Sequence, residues 1–201
     1  MRRVLLLSAI AIVIVFAALA VGYSSLAQSP VTDSQYNAPT SQPPNGTAAE
    51  NSEWTLSVVG SVANPRYLTL DEIIAMPGRT VNANIYCVDY PGTIVTGGDW
   101  TGVRLGLLLE SAGVLPEAVK VGFHAKDGYA TDLTVEMAKR ENVILAYELN
   151  GKRLSSLRLV VPGYWGYKWI DGPYTVELYD YDFKGRWESA GYPDDASISG
   201  P

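Results

Sequence analysis

The 201-residue chain carries one cysteine, one histidine and a net charge of −6. The acidic balance argues against a nucleic-acid partner, and a lone cysteine excludes an intrachain disulfide. About 150 residues beyond a non-globular N-terminal stretch are enough for one domain with a sizeable core.

Arg2 and Arg3 precede an apolar run from Val4 to Gly22 that only Ser8 interrupts. A bilayer crossing needs ~20 apolar residues, so this run is expected to be a single-pass anchor. Ser25-Leu26-Ala27 offers a small-x-small cleavage site, which keeps a cleaved signal peptide open over residues 1–27. The two arginines orient the N-terminus inside and the following domain on the extracytoplasmic side. Residues 28–52, rich in Ser, Thr, Pro, Asn and Gln, are expected to form a disordered polar linker. The globular domain is expected over residues 53–201.

Within that domain, Trp54 to Val59 reads as a strand closed by Gly60. Thr69 with Glu72 three residues on is a capping box opening a short helix that Pro77-Gly78 ends. A strand from Thr80 to Cys87 follows. Asp89, Pro91, Gly92, Gly97, Gly98 and Asp99 then predict a glycine-rich loop. Leu105, Leu108, Leu109 and Ala112 form an apolar helical stripe stopping at Gly113. A strand over 119–125, a turn at Lys126-Asp127-Gly128-Tyr129, a short helix near 135–140 and a strand over 143–149 come next. Asn150-Gly151 is a hairpin turn signal. Strands are expected at 158–161 and 174–180, separated by the aromatic and glycine-rich loop 162–172, and the tail from Phe183 is expected to be irregular. Many short strands and few short helices, out of βαβ order, give an α+β fold.

The stretch around Cys87 is the one with chemical content. Val81, Ala83, Ile85 and Cys87 share one phase of a period-two pattern, so Cys87 stands at the end of an apolar strand face. A buried hydrophobe, a nucleophile and a metal thiolate are all compatible with that position. A nucleophile needs a base, and His124, the one histidine, falls in the solvent-facing phase of its strand. One thiolate cannot hold a metal by itself, so a metal here would come as part of a pre-assembled cofactor.

Several blocks, WTGVRLGLLLESAGV, VILAYELNG, LRLVVPGYWGYKW and GRWESAGY, occur in order around that cysteine. They resemble the sulfite-oxidase-type molybdopterin-binding family over about residues 54–193. The resemblance implies that family's single-domain α+β fold and the molybdenum-molybdopterin cofactor, with Cys87 as metal ligand. It places Tyr129 of DGYATDL beside the metal and Arg158 against the pterin phosphate. It places Lys168, Gly163 and Gly166 in the loop that holds the cofactor, with Asp127 and Gly128 nearby and Trp165 and Trp169 as walls. A dianionic phosphate suits an Arg fork and backbone donors. The chain departs from the family pattern at Val88-Asp89-Tyr90-Pro91-Gly92, where a basic segment is usual, and at Lys152 to Leu157, where a His-Gly-Phe-Pro block is usual.

The implied function is a membrane-tethered, extracytoplasmic molybdenum oxidoreductase of the sulfite-oxidase or sulfoxide-reductase kind. It would transfer an oxygen atom to or from a small substrate in a two-electron step, the metal cycling between oxidation states VI and IV. With no haem domain in the chain, electrons are expected to pass through a separate haem- or quinone-linked protein. The alternative is a non-catalytic module on the same fold that binds a ligand or partner.

Overall fold

The computed structural model describes residues 55–198. The apolar run at 4–22, the linker at 28–52 and Trp54 lie outside those residues. Among the described residues, no helix is long and apolar enough to cross a membrane.

Among the described residues, nine strands form two sheets. In chain order they are β1 (Thr55–Gly60), β2 (Arg66–Thr69), β3 (Gly78–Tyr86), β4 (Ile94–Arg104), β5 (Lys120–Ala125), β6 (Ala130–Thr134), β7 (Ile144–Leu149), β8 (Lys152–Val160) and β9 (Pro173–Tyr179). The first sheet runs β2-β1-β9-β5-β6 and the second β3-β4-β7-β8. Their pairings are antiparallel except β1 with β9, where Ser57 lies opposite Thr175. Four short helices connect them: α1 (Leu70–Ala75), α2 (Leu105–Ala112), α3 (Val135–Ala138) and α4 (Arg186–Ser189). A single 3-10 turn covers Gly166–Lys168. This is the expected α+β class.

The core follows from alternation. Leu56 and Val58 of β1, Val121 and Phe123 of β5, and Val176 and Leu178 of β9 are fully buried on one sheet. Trp100 and Val103 of β4, Leu145 of β7 and Leu157 and Leu159 of β8 are buried on the other. Leu105, Leu108, Leu109 and Ala112 of α2 join them in one cluster. The local signals behave as their chemistry requires. Thr69 Oγ1 accepts the Glu72 amide while Glu72 Oε2 accepts the Thr69 amide, at 3.3 and 2.8 Å. Gly113 ends α2 with φ 68°, its amide donating to the Leu109 and Glu110 carbonyls. Asn150 and Gly151 both take positive φ, the pattern of a tight hairpin turn joining β7 directly to β8.

Three expectations need correction. The segment expected as a loop through Gly97, Gly98 and Asp99 is the middle of β4, paired with β3 from Gly78↔Val103 to Tyr86↔Ile94. Its glycines answer a crowded neighbourhood. A Cβ at Gly97 would stand 1.9 Å from Asn84 Oδ1, and one at Gly98, whose φ is 141°, 2.2 Å from Asn150 Oδ1. The true loop is only Cys87 to Thr93, closed by the Cys87 amide donating to the Thr93 carbonyl at 3.0 Å. The strand expected from Arg158 begins at Lys152, because the Asn150-Gly151 turn returns the chain at once. The tail expected to be irregular carries α4 and an ordered segment pinned by Ala196, whose carbonyl accepts from the Trp165 amide, and by Ile198, whose amide donates to Gly163.

Candidate active site

Cys87 is half-buried at the end of β3 and lines a cleft of about 320 Å³. The cleft is lined by residues from six places: Ile85, Val88 and Asp89 around the cysteine, Val95 and Thr96 of β4, Tyr129 of the β5–β6 turn, Arg158 of β8, Gly166 and Tyr167 of the 3-10 turn, and Trp187 of α4. Two further clefts are of similar size, about 280 and 300 Å³. Arg79 and Arg104 closing on Glu141 mark the first, and Arg66, Glu72 and Met76 the second. Volume does not distinguish the three; a thiol, a phenol and a guanidinium on one wall do.

Tyr129 donates its hydroxyl to the Tyr167 carbonyl at 2.5 Å. Burial, reinforced by Glu188, holds the phenol well above its usual range, so Tyr129 stays a protonated donor. Arg158 donates to the Trp169 carbonyl and pairs with Asp171, both at 3.0 Å, with its side chain one quarter exposed. Gly166 packs where a Cβ would lie 2.9 Å from both the Tyr86 carbonyl and Ile85 Cγ2, which presses the 3-10 turn against the end of β3. Cys87, Tyr129, Arg158 and Gly166 thus meet in one cleft. Asp127, Gly128 and Gly163 do not line it. Asp127 Oδ1 accepts the Tyr129 amide at 2.9 Å and Gly128 takes φ 84°, so both shape the turn that presents Tyr129.

Lys168 requires a larger correction. It is fully buried, and its ammonium faces away from the cleft into a charged cluster. Nζ lies 2.6 Å from Glu188 Oε1, 3.0 Å from the Asp132 carbonyl and 3.5 Å from Asp194 Oδ1. Lys120 adds contacts to Asp132 and Asp194 at 2.6 and 2.7 Å. Burial pulls the Lys120 ammonium down, but the Asp132 and Asp194 carboxylates outweigh it and hold it above its usual range. The Asp194 carboxyl is likewise held low, burial working against it and the Lys120 hydrogen bond prevailing. With Asp182 also 3.3 Å from Lys120, two ammoniums therefore join four carboxylates and fasten α4 and the Asp194 segment to β5 and β6. Trp169 is also core rather than wall: it is buried, lies edge-on to Trp100 at 6.0 Å and donates its indole to the Tyr164 carbonyl. Trp165 is half-buried against the core and outside the cleft.

His124 is only partly exposed, set between Tyr179 and Phe183 with Nε2 3.0 Å from the Tyr179 hydroxyl. Burial lowers its pKa, and it does not line the cleft. Sequence reasoning missed Asp89, Val95, Tyr167 and Trp187 as cleft residues. The GRWESAGY block was the available signal for Trp187, because a tail free of function has no need to place an aromatic at a fixed spacing from a buried glutamate.

The donors present fit a cofactor that brings its own metal ligands. Among the described residues, no three His, Cys, Asp or Glu side chains converge to hold a metal. A metal at Cys87 would have one soft protein ligand and take the rest from elsewhere.

The family model of the oxidoreductase molybdopterin-binding domain matches residues 42–187. The chain is 33% identical over 148 residues to the uncharacterized oxidoreductase YuiH of Bacillus subtilis, covering 70% of this chain and 72% of that one. It is 28% identical over 170 residues to the mitochondrial sulfite oxidase of Drosophila melanogaster, covering 70% of this chain but 30% of that one. The crystal structure of the sulfane dehydrogenase SoxCD from Paracoccus pantotrophus superposes with a TM-score of 0.60 at 25% identity, covering 64% of this chain and 38% of that one.

Proposed function

Because the chain belongs to the oxidoreductase molybdopterin-binding domain family, whose cofactor is molybdenum-molybdopterin, we propose that Cys87 is the protein's ligand to that metal and that the protein catalyses two-electron oxygen-atom transfer on a small substrate. When bound, the cofactor supplies the redox change and accepts or releases the oxygen atom. The chain's own residues do the rest. Cys87 offers a soft sulfur from a rigid strand end. Arg158, braced by Asp171 and the Trp169 carbonyl, presents a guanidinium edge to an anionic pterin tail. Tyr129, locked as a donor, fixes the Tyr167 backbone and with it the wall at Gly166. Ile85, Val88 and Trp187 give the cleft an apolar lining beside the thiol.

The observation that carries this reading is a thiol on a cleft where, among the described residues, no three His, Cys, Asp or Glu side chains converge to hold a metal by themselves. Its test is metal analysis. Protein purified from a host that makes the cofactor is expected to hold about one molybdenum per chain with pterin in equal amount. Fully folded protein lacking both would point instead to a binding module on the same fold.

The same proposal sets the domain outside the membrane, held by the Val4–Gly22 run, where it exchanges electrons with a separate haem- or quinone-linked protein. The arginine pair and the length of the run support this. A linker of this length reaches roughly 25–30 Å root-mean-square, enough to meet a carrier at the membrane surface. Protease added to intact spheroplasts is expected to cut the domain free while leaving cytosolic markers whole. Recovery of the protein in the cytosol would overturn the placement.

A further inference from the structure

Arg79 of β3 and Arg104 of β4 are brought together by the register of their ladder. Arg79 lies opposite Gly102, and Arg104 is two residues further along that strand. Both side chains therefore leave one face of the sheet as diagonal neighbours. Two guanidiniums so placed repel, and the cleft between them answers with one carboxylate. Arg79 Nη1 donates to Glu141 Oε2 at 2.9 Å, and Arg104 Nη1 donates to Glu141 Oε1. Each carboxylate oxygen is taken by one arginine, while each guanidinium carries further N–H groups. The lining of this cleft of about 280 Å³ thus holds two cations against one anion, in a chain whose net charge is −6.

The three groups are not held alike. The arginines stand on paired strands, and the Arg104 side chain is only 24% exposed. Glu141 sits in the turn between α3 and β7 with its side chain 66% exposed, so it can swing into water at little cost in stability. The Arg104 hydrogen bond, against a smaller cost of desolvation, holds the Glu141 carboxyl below its usual range. The arginine pair therefore already receives an oxyanion, one that the chain itself supplies. The start of α2 adds to this preference. Leu107 of its first turn lines the cleft, that turn has no acidic residue, and its N-cap Arg104 makes no side-chain cap. Pro77 and Leu107 give the cleft apolar sides. Cys87 lies eight residues beyond Arg79, roughly 25 Å away along β3 at ~3.3 Å per residue, so this cleft is separate from the thiol.

We propose that Arg79 and Arg104 form a binding site for the dianionic phosphate of a small soluble phosphomonoester, a site that Glu141 fills until its carboxylate is displaced. With Glu141 swung out, two guanidiniums meet two negative charges, and their planar N–H edges match phosphate oxygens. The organic part of the ester rests against Pro77 and Leu107. A phosphodiester, such as a lipid headgroup, brings one charge and one free oxygen fewer, and fits less well. Binding here depends neither on molybdenum nor on the oxygen-transfer reading.

The test titrates the full-length protein, in a neutral detergent, by calorimetry. The probes are glycerol 3-phosphate, the diester glycerophosphoglycerol, and chloride at matched ionic strength. Wild type is expected to bind the monoester about tenfold more tightly than the diester and to show no binding of chloride. Arg79→Gln and Arg104→Gln are each expected to weaken the monoester about tenfold. Glu141→Gln decides the sign. It removes the competing carboxylate and is expected to tighten the monoester about tenfold, whereas a merely structural clasp gives no binding with or without Glu141. Melting curves of the three variants verify that each is folded. Absence of monoester binding from both wild type and Glu141→Gln overturns the inference, as does a change of less than about twofold in both arginine variants. Weaker binding by folded Glu141→Gln overturns the role of Glu141 as the displaced occupant. A diester bound more tightly than the monoester overturns the phosphomonoester assignment and gives the cleft to a lipid headgroup.

Discussion

Cys87→Ser is expected to fold, to lose turnover by ~100-fold or more and to change the absorption and paramagnetic spectra of the bound metal. The scaffold does not depend on the sulfur. The Cys87 amide holds the loop by donating to Thr93, and β3 is fixed by nine residue pairs with β4. A serine hydroxyl at this half-buried position costs ~1–3 kcal/mol if it finds no partner, too little to unfold a domain of this size. What changes is the ligand, a hard oxygen in place of a soft sulfur. Thermal melts with parallel activity and spectra separate the two effects. Full turnover with an unaltered spectrum would make Cys87 a packing residue and remove the proposed site.

Lys168→Met is expected to have the larger effect on stability. It removes an ammonium that is fully buried among Glu188, Asp132 and Asp194, strands Glu188 and leaves Lys120 as the cluster's one ammonium, against Asp132, Asp182 and Asp194. Breaking a buried pair from one side costs about 3–5 kcal/mol, because the remaining charge is stranded. For a domain of this size that corresponds to a fall in the melting midpoint on the order of 10 °C. Glu188 Oε2 already lacks a hydrogen-bond partner, so the loss is expected to concentrate there. Adding Glu188→Gln to Lys168→Met should recover part of it, a coupling that a double-mutant cycle measures. A midpoint within about 2 °C of wild type would show that the cluster does not hold α4 in place.

Those two lysine and cysteine positions also show what was legible in the residues alone. Cys87 was placed at the end of an apolar strand facing a loop because alternation over Val81, Ala83 and Ile85 is a local, period-two signal. The capping box at Thr69, the stop at Gly113 and the turn at Asn150-Gly151 were legible for the same reason, since each is settled within four residues. β4 was not, because Gly97 and Gly98 read as breakers when the chain is taken singly. Their function lies across the sheet, where Asn84 and Asn150 leave no room for a Cβ. Lys168 misled through its neighbours: in a glycine-rich aromatic loop a cation suggests an anionic ligand, and its carboxylate partners come from β6, α4 and the segment after it. Trp169 misled likewise, since wall and core aromatics look alike until Trp100 is set against it. Asp89 was visible as a departure, but the hydroxyl that braces it lies 103 residues away.

The place of β9 has a consequence for how this enzyme is made. In the first sheet β9 separates the β1–β2 pair from the β5–β6 pair and hydrogen-bonds to both. Until it is synthesised, those pairs are two disconnected hairpins with their apolar faces uncovered. Such long-range closure is slow and comes late in folding. The segments that bear Trp187 and Tyr192 follow β9 in the chain, so the wall opposite Cys87 is the last part to be assembled. A nascent chain on the ribosome can display the cysteine on its β3–β4 hairpin long before there is a cleft around it. A chain stalled before Pro173 lacks β9, Trp187 and Tyr192 and is expected to leave the cleft around Cys87 incomplete, with no finished site for molybdopterin.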